Sequence, residues 1–141
     1  MKNLIVIGGG FAGSYISRKL ENHFDLTLID NKNYFEFTPS ILKTIVNPES
    51  RNKIQALHSS YLKKTKVIVS KVNEISENHV KVNGKNLKFD YLVICSGSGY
   101  NLPIKGKDIV LAARAENLKS YSKKLENSKN ILIIGGGLVG V

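Results

Sequence analysis

Gly8, Gly10 and Gly13 stand at the spacing of a Gly-x-Gly-x-x-Gly turn, and Gly135, Gly137 and Gly140 repeat that spacing near the other end of the chain. Each set directly follows four apolar residues, Leu4-Ile5-Val6-Ile7 in one case and Ile131-Leu132-Ile133-Ile134 in the other. The chemistry such a turn supports is pyrophosphate binding. Its first glycine allows a tight turn, its second lets the backbone approach the phosphates, and its third lets a helix pack close to the strand. The free N–H groups at the start of that helix then face the anion. Two turns of this kind predict a protein that holds two dinucleotides. Asp30 ends the next apolar run, seventeen residues beyond Gly13, where a carboxylate can accept hydrogen bonds from ribose hydroxyls.

These residues need strands and helices to hold them. Leu4 to Ile7 reads as a strand, Phe11 to about Asn22 as a helix with Ala12, Ile16 and Leu20 on one face, and Leu26 to Asp30 as a second strand. That is a βαβ unit, which predicts a parallel pair with a right-handed crossover. The stretch from Asn31 to Pro39 is aromatic-rich and reads as irregular. Ile41 to Val46 reads as a short helix, Pro48 as a new start signal, and Ile54 to Leu62 leads into a strand at Val67-Ile68-Val69. Three short strands follow, Val72 to Ile75, His79 to Val82 and Asn86 to Phe89, the last two joined by an Asn83-Gly84 hairpin turn. A dehydrogenase that binds only nicotinamide would repeat βα units here, so the meander points elsewhere. Asp90 to Ile94 reads as a buried strand that ends in Cys95-Ser96-Gly97, small residues that let the backbone pass near a ligand. A loop with Pro103, a helix near Ala115 to Leu125 and the strand of the second glycine turn complete the pattern.

Composition narrows the class. The chain has 141 residues and 42% apolar residues, which suits one packed α/β unit with a real core. No stretch is long and apolar enough to span a bilayer, and the first strand begins at once with no signal-peptide pattern. Lys2 in second position leaves no myristoylation signal. These features predict a cytoplasmic protein, with any peripheral membrane contact on the cytoplasmic side coming from a C-terminal region. The formal charge of +10, from 21 Lys and Arg against 11 Asp and Glu, is spread over scattered lysines without interleaved aromatics, so no nucleic-acid partner is expected. Cys95 is the single cysteine, which predicts neither an internal disulfide nor a cysteine metal site. His23, His58 and His79 are too far apart for a short-range metal pair and read as surface or loop residues.

The order of glycine turn, ribose acid, meander, Cys95-Ser96-Gly97 strand end and second glycine turn resembles the two-dinucleotide flavoproteins of the pyridine nucleotide-disulfide oxidoreductase superfamily, over essentially the whole chain. Cys-Ser-Gly stands where that superfamily usually has Ala-Thr-Gly, a change that keeps small residues there. Within it, Tyr34-Phe35-Glu36-Phe37-Thr38-Pro39 and Ile45-Val46-Asn47-Pro48-Glu49 resemble apoptosis-inducing-factor-like flavoproteins of the AMID or ferroptosis-suppressor type, and more distantly type II NADH dehydrogenases.

The resemblance implies a Rossmann-like FAD-binding domain over 1–128 and, over 129–141, the first strand and glycine turn of an NAD(P)H-binding domain, so the sequence is expected to be the N-terminal portion of a longer protein. It implies FAD as cofactor, NAD(P)H as co-substrate and a quinone or another small electron acceptor, in an NAD(P)H:quinone oxidoreduction. For FAD it implies Gly8, Gly10, Phe11, Ala12 and Gly13 at the pyrophosphate, Asp30 at the ribose, the backbone near Val72 at the adenine, Lys32 at a phosphate or the adenine edge, Thr38 and Pro39 near the isoalloxazine, and Ser96 and Gly97 along the cofactor. Gly135, Gly137 and Gly140 would hold NAD(P)H. Because the flavin carries the redox chemistry, no catalytic nucleophile or acid–base triad is expected in this segment, and no metal. Glutathione-reductase-like enzymes are excluded, since no cysteine lies between Asp30 and Cys95. Sulfide:quinone and thioredoxin-reductase-like enzymes stay open, as does a non-catalytic dinucleotide-binding fragment of a truncated gene.

Overall fold

A computed structural model describes residues 1–99 and 105–137. Its centre is a parallel sheet in which β1 (Asn3–Ile7) pairs on one side with β2 (Asp25–Asp30) and on the other with β9 (Tyr91–Ile94), while β5 (Lys66–Val69) extends the sheet beyond β2. The order β5-β2-β1-β9 is that of a Rossmann-like half, and the carboxyl ends of β1, β2 and β9 share one edge.

The strands are apolar at consecutive positions because both faces of the sheet are covered. Leu4, Val6, Leu26 and Leu28 point to one face and pack with Leu62 under Ile16 and Leu20 of helix α1 (Phe11–Leu20). Ile5 and Ile29 point to the other face and pack with Val80 and Val82 of the meander. That meander is β6 (Val72–Ile75), β7 (His79–Val82) and β8 (Lys85–Lys88), a separate antiparallel sheet. Its Asn83-Gly84 turn has φ of 50° and 74°, the left-handed pair that a two-residue hairpin requires.

Three sequence expectations are corrected. Residues 31–39 are not wholly irregular: β3 (Tyr34–Glu36) pairs antiparallel with β4 (Gln55–Leu57), across a connection that holds α2 (Ile41–Val46). Such a pairing depends on partners far apart in sequence, which local pattern does not reveal. On α1 the buried positions are Gly13 and Ser17, with Ile16 and Leu20 partly buried and Ala12 exposed; the helix sits so close to the sheet that its smallest residues face it. Ile131 to Ile134, read as a strand, pair with no other strand among the described residues and are 60%, 85%, 66% and 90% exposed.

Helix α4 (Leu111–Glu126) is anchored by Arg114, fully buried, whose guanidinium grips Glu36 of β3 through Nε–Oε2 (3.0 Å) and Nη2–Oε1 (3.2 Å). Gln55 of β4 donates to the same carboxylate at 2.6 Å. The first turn of α4 lacks a side-chain cap of its own, and Asn33 supplies one from a distance by accepting the Leu111 N–H at 3.1 Å. Tyr34 lies buried beside this group and donates to the Asp108 carbonyl; burial, with the charge of Glu36, pushes its hydroxyl far above the ordinary tyrosine range. Among the described residues no helix is long and apolar enough to cross a membrane.

Candidate functional site

Gly8 follows β1 with φ +96° and donates its N–H to the Ile29 carbonyl at 2.8 Å. A side chain there would strike the carbonyl of Cys95 at the end of β9, and one at Gly13 would strike the carbonyl of Gly8. The turn, the start of α1 and the end of β9 are therefore in backbone contact, which only glycine allows at these two positions. Gly10 differs, since nothing lies within 4 Å of where its side chain would be. It occupies the N-cap of α1, no side chain caps that end, and no acid sits in the first turn. An uncapped helix start with open space before it leaves room and partial positive charge for an anion. Phe11, Ala12 and Gly13 form the turn of helix that follows.

A groove of about 600 Å³ runs along this sheet edge, lined by Gly8, Asp30, Ser70, Lys71, Val72 and Ser96 among others. It joins the carboxyl ends of β1, β2 and β9 to the first residues of the meander, the crevice in which open α/β sheets take ligands. Gly8, Asp30, Val72 and Ser96, all singled out from sequence, thus share one wall. Gly97 follows with φ +64° in open space. Lys32 is not part of the lining; its ammonium lies over the Tyr34 ring at 5.6 Å. Thr38 and Pro39 sit in a 3-10 turn after Phe37. Phe37 and Phe35 both meet Phe11 edge to face, with centroids 5.3 and 5.4 Å apart, so the aromatic loop folds back onto the start of α1. Gly135 (φ +104°) and Gly137 are exposed and apart from this groove, and Gly140 lies outside the described residues.

The reading of His58 as a surface residue is wrong. It is 1% exposed, and its Nε2 lies 2.9 Å from Oδ2 of Asp30 while its Nδ1 lies 2.6 Å from the Tyr61 hydroxyl. A carboxylate only accepts, so Nε2 carries a proton toward Asp30 and Nδ1 receives the Tyr61 O–H. The Ser14 hydroxyl donates to the Gly9 carbonyl at 2.9 Å and also to the Gly10 carbonyl. Burial, opposed by the nearby Ser14 hydroxyl and joined by the charge of Asp30, pushes the Tyr61 hydroxyl upward, so it stays a donor at neutral pH. Gly9 is tied to the same group, because a side chain there would meet the His58 ring and Asp30 Oδ2 at 2.5–2.6 Å. With both ring nitrogens engaged and the ring buried, His58 is placed to hold Asp30 and not to take a proton from a ligand. The only sequence signal was a histidine beginning a short polar helix, α3 (His58–Tyr61).

Comparison with known proteins decides the lineage. The sequence profile described as pyridine nucleotide-disulphide oxidoreductase matches residues 2–141. The chain belongs to that oxidoreductase family. It is 37% identical over 142 residues to apoptosis-inducing factor homolog A of Dictyostelium discoideum, a match that covers 99% of this chain and 35% of that protein. Its fold superposes on the sulfide:quinone oxidoreductase of Aquifex aeolicus with a TM-score of 0.67 at 29% identity, covering 89% of this chain and 32% of the other. It likewise superposes on NDH2 of Plasmodium falciparum in complex with NADH, with a TM-score of 0.65 at 23% identity over 72% of this chain and 23% of the other. The chain thus spans 35%, 32% and 23% of the length of these three proteins.

Proposed function

We propose that these residues form the flavin-dinucleotide half of an FAD-dependent NAD(P)H:quinone oxidoreductase, with 1–128 contributing the N-terminal part of the FAD-binding domain and 129–141 opening the NAD(P)H-binding domain. The observation that carries the reading is the groove: one wall brings together the first glycine turn, Asp30, the start of the meander and the Ser96 strand end. A site built only for a nicotinamide dinucleotide needs no meander at that wall. The protein residues fit the cofactor. The uncapped α1 start and the open space at Gly10 suit a pyrophosphate, and Oδ2 of Asp30 is steadied by His58.

In this reading the N–H groups at Gly10, Phe11, Ala12 and Gly13 bind the pyrophosphate, Asp30 accepts the ribose hydroxyls, the Val72 backbone meets the adenine, and Ser96 and Gly97 run beside the cofactor. Thr38 and Pro39 stand near the flavin ring, held there by the Phe11–Phe35–Phe37 stack. Lys32 serves a phosphate or the adenine edge, and Gly135, Gly137 and Gly140 take the nicotinamide dinucleotide. Held by these residues, FAD would supply the redox chemistry, taking hydride from NAD(P)H and passing two electrons to the acceptor. Likeness to a sulfide:quinone oxidoreductase supports a quinone as that acceptor. A quinone acceptor accords with a cytoplasmic protein that makes peripheral contact with the cytoplasmic side of a membrane.

The experiment is steady-state oxidation of NADH and NADPH by the full-length protein with FAD and a short-chain quinone. Quinone-dependent turnover is expected, and in Gly10→Ala it should need about tenfold more FAD to reach half its maximum. A flavin-loaded protein that reduces disulfides or oxidises sulfide, and leaves NAD(P)H unoxidised in the presence of quinone, would replace this reading with another.

A further inference from the structure

We propose that His58 is a positioning residue for dinucleotide binding: it holds the Asp30 carboxylate toward the adenosine ribose diol and, packed with it against Gly9, seats that carboxylate on the phosphate-binding turn. This deepens the reading above and rests on it. The geometry is specific to one oxygen. Oδ2 of Asp30 takes the His58 Nε2–H at 2.9 Å, which fixes the carboxylate plane and leaves Oδ1 for a ligand in the groove that Asp30 lines.

The ring itself has no freedom to turn. Tyr61 holds Nδ1 at 2.6 Å, the backbone N–H of His58 donates to the Asn33 carbonyl at 3.0 Å, and Gly9 lies flat against the ring and against Oδ2. His58 closes the excursion that leaves the sheet at Asp30 and carries β3, α2 and β4. A residue serving packing alone needs no donor aimed at a ligand-facing acid. Any buried ring needs both nitrogens satisfied; what sets this one apart is that one of its two partners is the acid that lines the groove.

The test uses full-length protein stripped of flavin, with ADP, 2′,3′-dideoxy-ADP and FAD as probes followed by calorimetry or fluorescence. His58→Leu is expected to weaken ADP and FAD about tenfold, the scale of one hydrogen bond to a charged group, and to leave 2′,3′-dideoxy-ADP unchanged. His58→Gln, which keeps an N–H donor, should recover most of the loss. In an Asp30→Ala background His58→Leu should add less than about twofold. Should His58→Leu fail to fold, Tyr61→Phe at the half-buried end of the chain carries the test, with about threefold weaker ADP binding and none lost for the dideoxy probe. Equal losses for ADP and dideoxy-ADP, or an undiminished His58 effect without Asp30, would overturn the proposal. If Asp30→Ala weakens ADP while His58 and Tyr61 variants do not, the dinucleotide reading stands and this inference alone fails. A protein that binds neither ADP nor FAD ends both.

Discussion

Arg114 and Glu36 lie 78 positions apart in the chain and meet as a bidentate pair with side chains 0% and 2% exposed. The pair ties α4 to the small β3–β4 sheet, and through Asn33 and His58 that sheet is tied to the ribose acid. The excursion between β2 and β5 is therefore a brace for the groove wall.

Removing one partner leaves the other charge buried. Arg114→Ala is expected to cost about 3–5 kcal/mol in urea unfolding. The double variant Arg114→Met with Glu36→Met should cost clearly less, because no lone charge remains. Equal costs for the two would show that packing volume, and not the ion pair, sets the stability.

The glycines of the first turn separate folding from binding. Gly13→Ala forces a side chain into the Gly8 carbonyl and should lower stability by about 1–3 kcal/mol, as overpacking does. Gly10→Ala meets no protein atom within 4 Å and should leave the melting temperature unchanged while dinucleotide binding falls about tenfold, since the new methyl occupies ligand space. A Gly10→Ala protein with unaltered FAD and ADP affinity would remove the phosphate from that space.

Glu21 supplies a pH-dependent contribution. Burial alone would raise its carboxyl, but N–H bonds from Lys64 and Lys63, the Thr65 hydroxyl and the Thr65 N–H outweigh burial and hold it below the ordinary value of 4.5. A group depressed in the folded state binds fewer protons there than in the unfolded chain. Its stabilisation is complete above the unfolded value and declines as pH falls through the folded one. Unfolding curves between pH 7 and pH 3 should show a shallower acid-side loss for Glu21→Gln than for the parent. Parallel curves would place the carboxylate outside the balance.

Much of this was legible locally. Leu4–Ile7, the glycine turn and Leu26–Asp30 announce a strand, a tight turn and a second strand because each obeys a short-range rule, and Asn83-Gly84 names its own hairpin. The groove wall followed, since Gly8, Asp30, Val72 and Ser96 all fall at element ends. What stayed hidden depends on partners distant in sequence. The β3–β4 pairing, the Asp30–His58 contact 28 positions apart and the Arg114–Glu36 pair leave no periodic trace. Ile131 to Ile134 carry a strand's composition, yet no neighbour among the described residues offers them a pairing edge.

Those four residues predict the behaviour of the 141-residue chain. With side chains mostly exposed, they form an apolar strip free to associate. A chain ending at Lys129 should remain monomeric by light scattering at concentrations where the longer chain self-associates. Identical association by both would locate the sticky surface elsewhere.

The central claim is that the first glycine turn and Asp30 hold FAD, and flavin content of the full-length protein tests it most directly. Its absorbance spectrum is expected to show near-equimolar flavin, and Asp30→Ala to weaken that binding by about 1.5–3 kcal/mol while the protein stays folded. A colourless protein that takes up nicotinamide dinucleotide but refuses added FAD, or an Asp30→Ala variant that retains FAD with unchanged affinity, would contradict it.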